Sequence, residues 1–259
     1  MTTRAEGLRT VGRVLRAKLF ELRATPSAWW LAAGTAGYGV AVVVLLLALL
    51  DVVAEDEGAL RALLASSGGG GALLVLFGIV FAAGEYRHRT IIPLVLAEPR
   101  RLPALTGQLA AYAVAGLITG LVATSASLVV AFGWLSARGD PFVLGAGAVV
   151  AIVAGGAVHA AVGAVLGGSV GTLLRNQVAA AIAVFVYLAM VDPVLAQAVP
   201  AYGRFGPTAL GIALSGGVPA PGGPGQRLLP WPLAAMVWGG TAVLCAVAAA
   251  AVTRRREIS

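Results

Sequence analysis

The sequence predicts an all-α, polytopic membrane protein, and two observations carry that prediction. Of the 259 residues, 59% are hydrophobic and 11% are charged, with a mean hydropathy of +0.92. A soluble domain carries roughly 25% charged residues, so this chain has too few charges to cover a water-exposed surface. Six apolar stretches are each long enough to cross a bilayer core of about 30 Å as a helix. They are residues 28–50, 66–84, 106–135, 143–173, 178–198 and 231–252.

The basic residues predict how these six transmembrane helices are oriented. With the N-terminus in the cytosol, the inner segments 1–27, 85–105, 174–177 and 253–259 hold 14 of the 18 lysines and arginines. The positive-inside rule therefore predicts that both termini are cytosolic. The net charge of +7 becomes a topology signal beside anionic membrane lipid, and nucleic-acid binding is not expected. The arginine-, alanine- and glycine-rich composition is typical of a bacterial protein, which indicates the bacterial cytoplasmic (inner) membrane.

Residues 1–27 precede the six-helix transmembrane domain (28–259) and are predicted to form an amphipathic interfacial helix. Leucines and valine recur at helical spacing along one side, at Leu8, Val11, Leu15, Leu19 and Leu22. Arginines lie on the other side, at Arg9, Arg13, Arg16 and Arg23. A basic amphipathic helix of this kind lies in the membrane interface. The pattern leaves two roles open: a lipid anchor that sets orientation, or an elbow helix that also contacts a cytosolic partner.

The inner loop 85–105 is much longer than a tight turn between two transmembrane helices requires. Its apolar centre, 91–97, is flanked by charged residues, and Pro99 and Pro103 end any helix formed there. We expect a short helix along the cytosolic face. The alternative is a basic loop that only sets the topology.

A resemblance to a known family appears at this loop. The run Gly84-Glu85-Tyr86-Arg87-His88-Arg89-Thr90, followed by Arg100-Arg101, resembles the permeases of ATP-binding-cassette (ABC) type-2 exporters. The resemblance extends over essentially the whole chain: the basic arm, six spans, a long inner loop and a proline-rich outer segment. The chain departs from the family pattern at Arg89, where a glycine is usual, and at Gln108, where a lysine is common.

The resemblance implies a partner and a coupling surface. In that family the inner loop seats in a groove of a separate cytosolic ATPase subunit, which holds ATP and Mg. The residues implied to contact that ATPase are Glu85, Tyr86, Arg87, Arg89, Thr90, Pro99, Arg100 and Arg101. A second permease copy or a sister permease is expected to complete the substrate pathway. No cofactor or metal is expected in this chain.

The fourth transmembrane helix carries a stripe of small residues at four-residue spacing. The stripe consists of Gly155, His159, Gly163, Gly167 and Gly171. Small residues at this spacing let helix backbones approach closely, which predicts a helix-packing face. His159 is interpreted as a packed residue, with a proton relay or a substrate contact as the alternative.

The outer segment 199–230 is rich in proline and glycine, which excludes one continuous helix. Residues 201–215 are apolar enough for a short re-entrant or interfacial helix, and 216–227 are expected to be irregular. The resemblance implies an external gate here, and a plain surface loop is the alternative. Asp192-Pro193, near the outer end of the fifth span, is interpreted as a helix end or bend.

The sequence offers no catalytic motif. A Walker A loop needs a lysine after its second glycine, and the only lysine, Lys18, stands between Ala17 and Leu19. We therefore expect a non-enzymatic permease subunit of an ATP-driven exporter. The alternative is a non-transporting membrane scaffold or immunity protein that recruits a cytosolic partner. The substrate, and the choice between homodimer and heterodimer, stay open.

Overall fold

The computed structural model describes residues 2–49, 56–67, 71–87, 101–199, 201–217 and 228–255. The described residues form helices and short connections, without a strand, so the predicted all-α fold class is confirmed. The helices in chain order are α1 (Thr2–Ala24), α2 (Pro26–Leu49), α3 (Glu57–Ser67), α4 (Gly71–Arg87), α5 (Arg101–Arg138), α6 (Ala146–Leu174), α7 (Gln177–Val186), α8 (Asp192–Ala198), α9 (Pro207–Leu214) and α10 (Trp231–Arg255). A π-helical turn (Tyr187–Val191) joins α7 to α8, and a 3₁₀ turn (Tyr202–Arg204) precedes α9.

Five helical stretches are long and apolar enough to cross a membrane. They are Pro26–Leu49, Leu102–Arg138, Ala146–Leu174, Gln177–Ala198 and Trp231–Thr253. The chain therefore has the character of a polytopic membrane protein, as its composition predicts. The remaining predicted span, 66–84, differs: α3 ends at Ser67, and α4 carries a shorter apolar stretch, Leu73–Gly84. Its 17 residues extend roughly 25 Å at about 1.5 Å per residue, somewhat less than a bilayer core.

Helix α6 lies at the centre of the fold and packs against α4, α5 and α10. Its contact with α4 is made by backbone on both sides. A Cβ atom built on Gly167 would lie 1.9 Å from the carbonyl oxygen of Val75, and one built on Gly78 would lie 2.2 Å from that of Ala164. Neither site has room for a side chain, so the two helices are in direct backbone contact.

Helix α5 runs antiparallel to α6 and uses the same kind of contact. Gly116 and Gly120 both face Ala160. A Cβ added to Gly116 would lie 2.7 Å from the carbonyl oxygen of Ala160, and one added to Gly120 would lie 2.5 Å from the Ala160 Cβ. Further toward the C-terminus of α6, the fully buried Tyr112 ring covers Gly168. The Tyr112 hydroxyl accepts a hydrogen bond from Gln108 Nε2 at 2.9 Å. Helix α6 is thus held between α4 and α5 with small residues on both sides.

Helix α1 packs against the beginning of α5, but not through the leucine face alone. The side chains it buries recur every four residues, at Thr10, Val14, Lys18 and Leu22. Of the predicted apolar face, only Leu22 is buried; Leu8 is 70% exposed. The arginines Arg9, Arg13, Arg16 and Arg23 are all exposed. Helix α1 therefore has three sides: one against α5, one apolar and half-exposed, and one of arginines.

The close contact of α4 with α6 generates a stability prediction. We expect Gly167→Ala to destabilise the protein by about 1–3 kcal/mol, because the added methyl forces the two backbones apart. The matched control is Gly133→Ala on α5, where an added Cβ meets nothing within 4 Å. The thermal unfolding midpoints of both variants, measured in the same detergent, check this. Equal midpoints for the two variants would show that the α4–α6 contact has room for a side chain.

Candidate functional site

The predicted coupling residues flank a segment that the structure does not describe. Glu85, Tyr86 and Arg87 form the last turn of α4, and Arg101 is the first residue of α5. Arg89, Thr90, Pro99 and Arg100 lie outside the described residues, as does the short helix expected at 91–97.

The helix ends that flank this segment lie at the same end of the bundle as α1. A Cβ built on Gly107, near the start of α5, would lie 2.8 Å from the Cβ of Val14. One core cluster contains Leu22 of α1, Ala82 near the end of α4 and Leu105 near the start of α5, and Ala250 of α10 packs against it. Helix α1, the end of α4, the start of α5 and the C-terminal part of α10 therefore lie together.

The other half of α6 carries residues 201–217, which we call the docked segment. Its helix α9 runs against α6 with its backbone in contact at two glycines. A Cβ on Gly155 would meet the carbonyl oxygen of Leu214 at 1.5 Å, and one on Gly211 would meet the His159 ring at 2.9 Å. Because His159 is near the middle of α6, the docked segment does not lie on the end of the bundle; it extends along the helices.

His159 lies between the docked segment and α10. Its ring stacks on Trp238, with centroids 5.3 Å apart and planes inclined by 15°. Trp238 Nε1 donates a long hydrogen bond of 3.4 Å to the backbone oxygen of His159. His159 Nδ1 is buried and has no hydrogen-bond partner among the described residues. This environment packs the imidazole on both faces, and within the described part of the chain it provides no relay partner.

The other predicted residues of the small-residue stripe lie along the same helix and are all buried. Gly167 and Gly171 face α4, where an added Cβ on Gly171 would lie 3.1 Å from both the Ala82 Cβ and the Ile79 oxygen. Gly155 faces α9 instead. The stripe thus passes from one neighbouring helix to another along α6.

Asp192 forms a buried polar cluster with the docked segment. Its carboxylate accepts a hydrogen bond from the Tyr202 hydroxyl at 2.7 Å through Oδ1. Its Oδ2 accepts from the Thr208 hydroxyl at 2.5 Å and from the Thr208 backbone N–H at 3.3 Å. Tyr202 and Tyr187 share a further hydrogen bond of 2.7 Å between their hydroxyls. The carboxylate is 1% exposed, so these neutral donors stabilise a charge that water does not reach.

The cluster caps helix α9 from another part of the chain. The residue before α9 is Gly206, which has no side chain to accept from the first N–H groups, and Pro207 has no N–H of its own. Asp192 accepts from Thr208, so it takes the role of the N-cap side chain although it belongs to the fifth span. Gly206 is needed for this approach, since an added Cβ there would lie 2.6 Å from Asp192 Oδ1.

The structure changes helix type directly before Asp192-Pro193, the pair interpreted from the sequence as a helix end or bend, and the helical stretch continues to Ala198. A π-helical turn, Tyr187–Val191, precedes the pair, and the backbone N–H of Asp192 donates to the oxygen of Tyr187. Helix α8 then begins, with Pro193 in its first turn. π-helical turns occur often at functional sites. The sequence contains a signal for this cluster, since a single acidic residue in an apolar run needs hydrogen-bond donors from another part of the chain.

Neither protein-family models nor curated proteins match the chain. The described residues contain no group of three or more His, Cys, Asp or Glu side chains that could hold a metal ion. Fold and site therefore define a class, a helical multi-pass membrane protein, and no family.

The Tyr202 hydroxyl generates a pH prediction. Burial raises the pKa of Tyr202, and the hydrogen bonds to Tyr187 and Asp192 and the Asp192 charge raise it further. A raised folded-state pKa contributes stability that is fully present below the unfolded value near 10 and is lost as pH rises above it. We expect one tyrosine not to ionise near pH 10 while the protein stays folded. Ultraviolet absorption of tyrosinate in wild-type protein and Tyr202→Phe checks this. The prediction would be contradicted if Tyr202→Phe removed a tyrosine that ionises near pH 10 in the wild-type protein.

The packing of His159 generates a second prediction. We expect His159→Leu, which keeps the volume, to change the free energy of unfolding by less than about 1.5 kcal/mol. His159→Ala should cost about 2 kcal/mol or more, because it opens a cavity beside Trp238. Denaturant unfolding followed by tryptophan fluorescence measures both. Equal losses in the two variants would mean that the polar atoms of the imidazole stabilise the fold.

Proposed function

We propose that this protein is the membrane-spanning permease subunit of an ATP-driven exporter. Two permease copies, or this chain with a sister permease, form the substrate pathway, and a separate cytosolic ABC ATPase binds ATP and Mg. The proposal assigns no catalysis to this chain. The second candidate is a non-transporting scaffold or immunity protein that recruits a cytosolic partner through the same basic surfaces.

The observation that carries the proposal is the gathering of basic elements at one end of the bundle. Helix α1 presents exposed arginines beside the start of α5, where Val14 contacts Gly107. Helix α4 ends at Arg87 and α5 begins at Arg101 at this same end, and the sequence between them contains Arg89 and Arg100. A partner that approaches this end meets the arginines of α1 beside the helix ends that flank the segment 88–100.

The topology of the proposal has six membrane spans with both termini in the cytosol of a bacterium. Helix α4 is the second span, and its seat along α6 supports this, since it extends beside the central helix over much of its own length. Leu22 of α1 and Ala250 of α10 belong to one packed cluster, which supports termini on one side. The basic residues concentrated on that side favour the cytosol.

ATP-derived energy has to come from a partner in this scheme. Lys18 is the only lysine in the chain. It is buried on α1, and its Nζ lies 2.8 Å from Glu21 Oε2, so it is committed to an ion pair within α1. A phosphate-binding loop needs a lysine that is free to reach β- and γ-phosphates. The absence of a Walker A motif from the sequence agrees with this.

The substrate of the proposed exporter is amphipathic or hydrophobic. Asp192 is the one acidic side chain described within the candidate spans between Pro26 and Ala198, and neutral hydroxyls surround it. A carboxylate-lined route for ions or protons is therefore disfavoured. In the proposed topology the docked segment lies along the half of the bundle away from the ATPase. Ile182, Phe185 and Val194 of the fifth span are exposed and can face lipid or the second permease copy.

The proposal predicts that the inner loop binds a P-loop ATPase. We expect the fourfold variant Arg87→Glu, Arg89→Glu, Arg100→Glu and Arg101→Glu to lose that ATPase, because the reversed charges repel a surface that is complementary to arginine. The measurement is affinity purification from native membranes after mild cross-linking, with quantification of P-loop ATPases by mass spectrometry. We expect at least about a tenfold loss relative to wild type.

The control is the double variant Arg138→Glu and Arg204→Glu, at the last residue of α5 and within the docked segment. It changes the charge in the same direction, away from the proposed coupling surface, and should retain the ATPase. No P-loop ATPase with the wild-type protein, or full retention by the fourfold variant, would overturn the exporter proposal. If the hydrolysis rate of the bound ATPase responds to amphipathic compounds in lipid, the exporter is favoured over the scaffold.

A further inference from the structure

Among the described residues Asp192 is the most completely buried acidic or basic side chain, and its contacts join two separate elements. It belongs to the fifth span, yet its hydrogen bonds run to Tyr202 and Thr208 in the docked segment. Within the span itself, the π-helical turn immediately before Asp192 alters the helix register.

We propose that Asp192 is a latch: its carboxylate holds the docked segment against α6, and the segment moves away when these hydrogen bonds break. The latch consists of Asp192, Tyr202 and Thr208. It is a positioning device that acts through α9 and does not itself bind substrate. It also makes the docked segment follow the fifth span, since the carboxylate is part of that span.

The chemistry of a short helix explains why the latch controls the segment. Helix α9 has eight residues, so a large share of its backbone donors lack partners within the helix. Gly206 cannot cap them, and in an apolar environment uncapped N–H groups are costly. Asp192 satisfies the Thr208 N–H directly and adds a negative charge at the positive end of the helix dipole.

The seat of α9 on α6 is of a different kind. At Gly155 and Gly211 the contact is between smooth surfaces, backbone against backbone and glycine against the His159 ring. Leu210 and Leu214 face inward and pack with Trp238 of α10. This seat determines how closely α9 approaches α6, whereas the directional hydrogen bonds to α9 are those that Asp192 accepts at its N-terminus.

The test reads the position of α9 by cysteine accessibility. The background carries Cys245→Ala, which removes the only native cysteine. Leu210→Cys places a thiol at a site 1% exposed in the docked state, and Ile79→Cys places one in the α4–α6 seam at a site fully buried. Both are labelled with a membrane-impermeant maleimide in lipid nanodiscs, which expose both membrane faces.

We expect Asp192→Ala to raise the labelling rate at position 210 by about tenfold, the size of a lost helix cap, while position 79 stays protected. Thr208→Val keeps the backbone N–H bond and should give a smaller increase. Asp140→Ala removes a carboxylate from the connection between α5 and α6, and it should leave the rate unchanged.

Three results would overturn the latch. The first is an unchanged rate at position 210 in Asp192→Ala. The second is equal acceleration at positions 210 and 79, which would assign Asp192 to the stability of the whole bundle. The third applies if Asp192→Ala does not assemble: an unchanged labelling rate at position 210 in Thr208→Val would then overturn the proposal. The labelling needs no substrate and no ATPase, so it is decided independently of the exporter proposal.

Discussion

Direct backbone contact along α6 is the constraint on which the rest of the structure depends. In lipid there is no hydrophobic force that drives one apolar helix against another, so association relies on van der Waals packing and small residues. Gly167 and Gly78 let α4 and α6 meet without side chains between them, and Gly120 does the same for α5. Each such contact is possible at one register only, because a shift by one residue would bring a Cβ atom into a space that holds backbone. The glycines therefore determine the relative positions of the helices as well as their separation.

The docked segment depends on this arrangement and adds a second constraint. A short helix beside apolar spans needs partners for its terminal N–H groups, and a buried carboxylate needs donors. Each requirement is costly alone. Here Asp192 and Thr208 satisfy both together, and Gly206 provides the space for the carboxylate. The pairing explains how an acidic residue can be kept in an apolar helix without a basic partner among its described contacts.

The sequence predicts the fold class and five of the spans well, because these depend on length and apolar composition. It is less informative where packing decides. The stretch 66–84 is apolar enough for one span, but it contains four consecutive glycines, Gly68 to Gly71, which have low helix propensity. Helix α3 ends at Ser67, directly before these glycines. On α1, periodicity identifies the leucines, yet Thr10, Val14 and Lys18 make the contact with α5. The partners of Asp192 lie 10 and 16 residues away, in a segment positioned by α6, so no local pattern reveals them.

The two kinds of contact around α6 have different mechanical consequences. The α4–α6 seam is a row of backbone contacts, which has no second arrangement nearby, so the two helices move as one body. The fifth span has few buried residues, Ala180 and Asp192, and its tie to the docked segment is a set of hydrogen bonds. Hydrogen bonds are directional and can exchange partners, whereas interlocked glycines cannot. Movement of the fifth span relative to this seam therefore reaches the docked segment through the hydrogen bonds of Asp192.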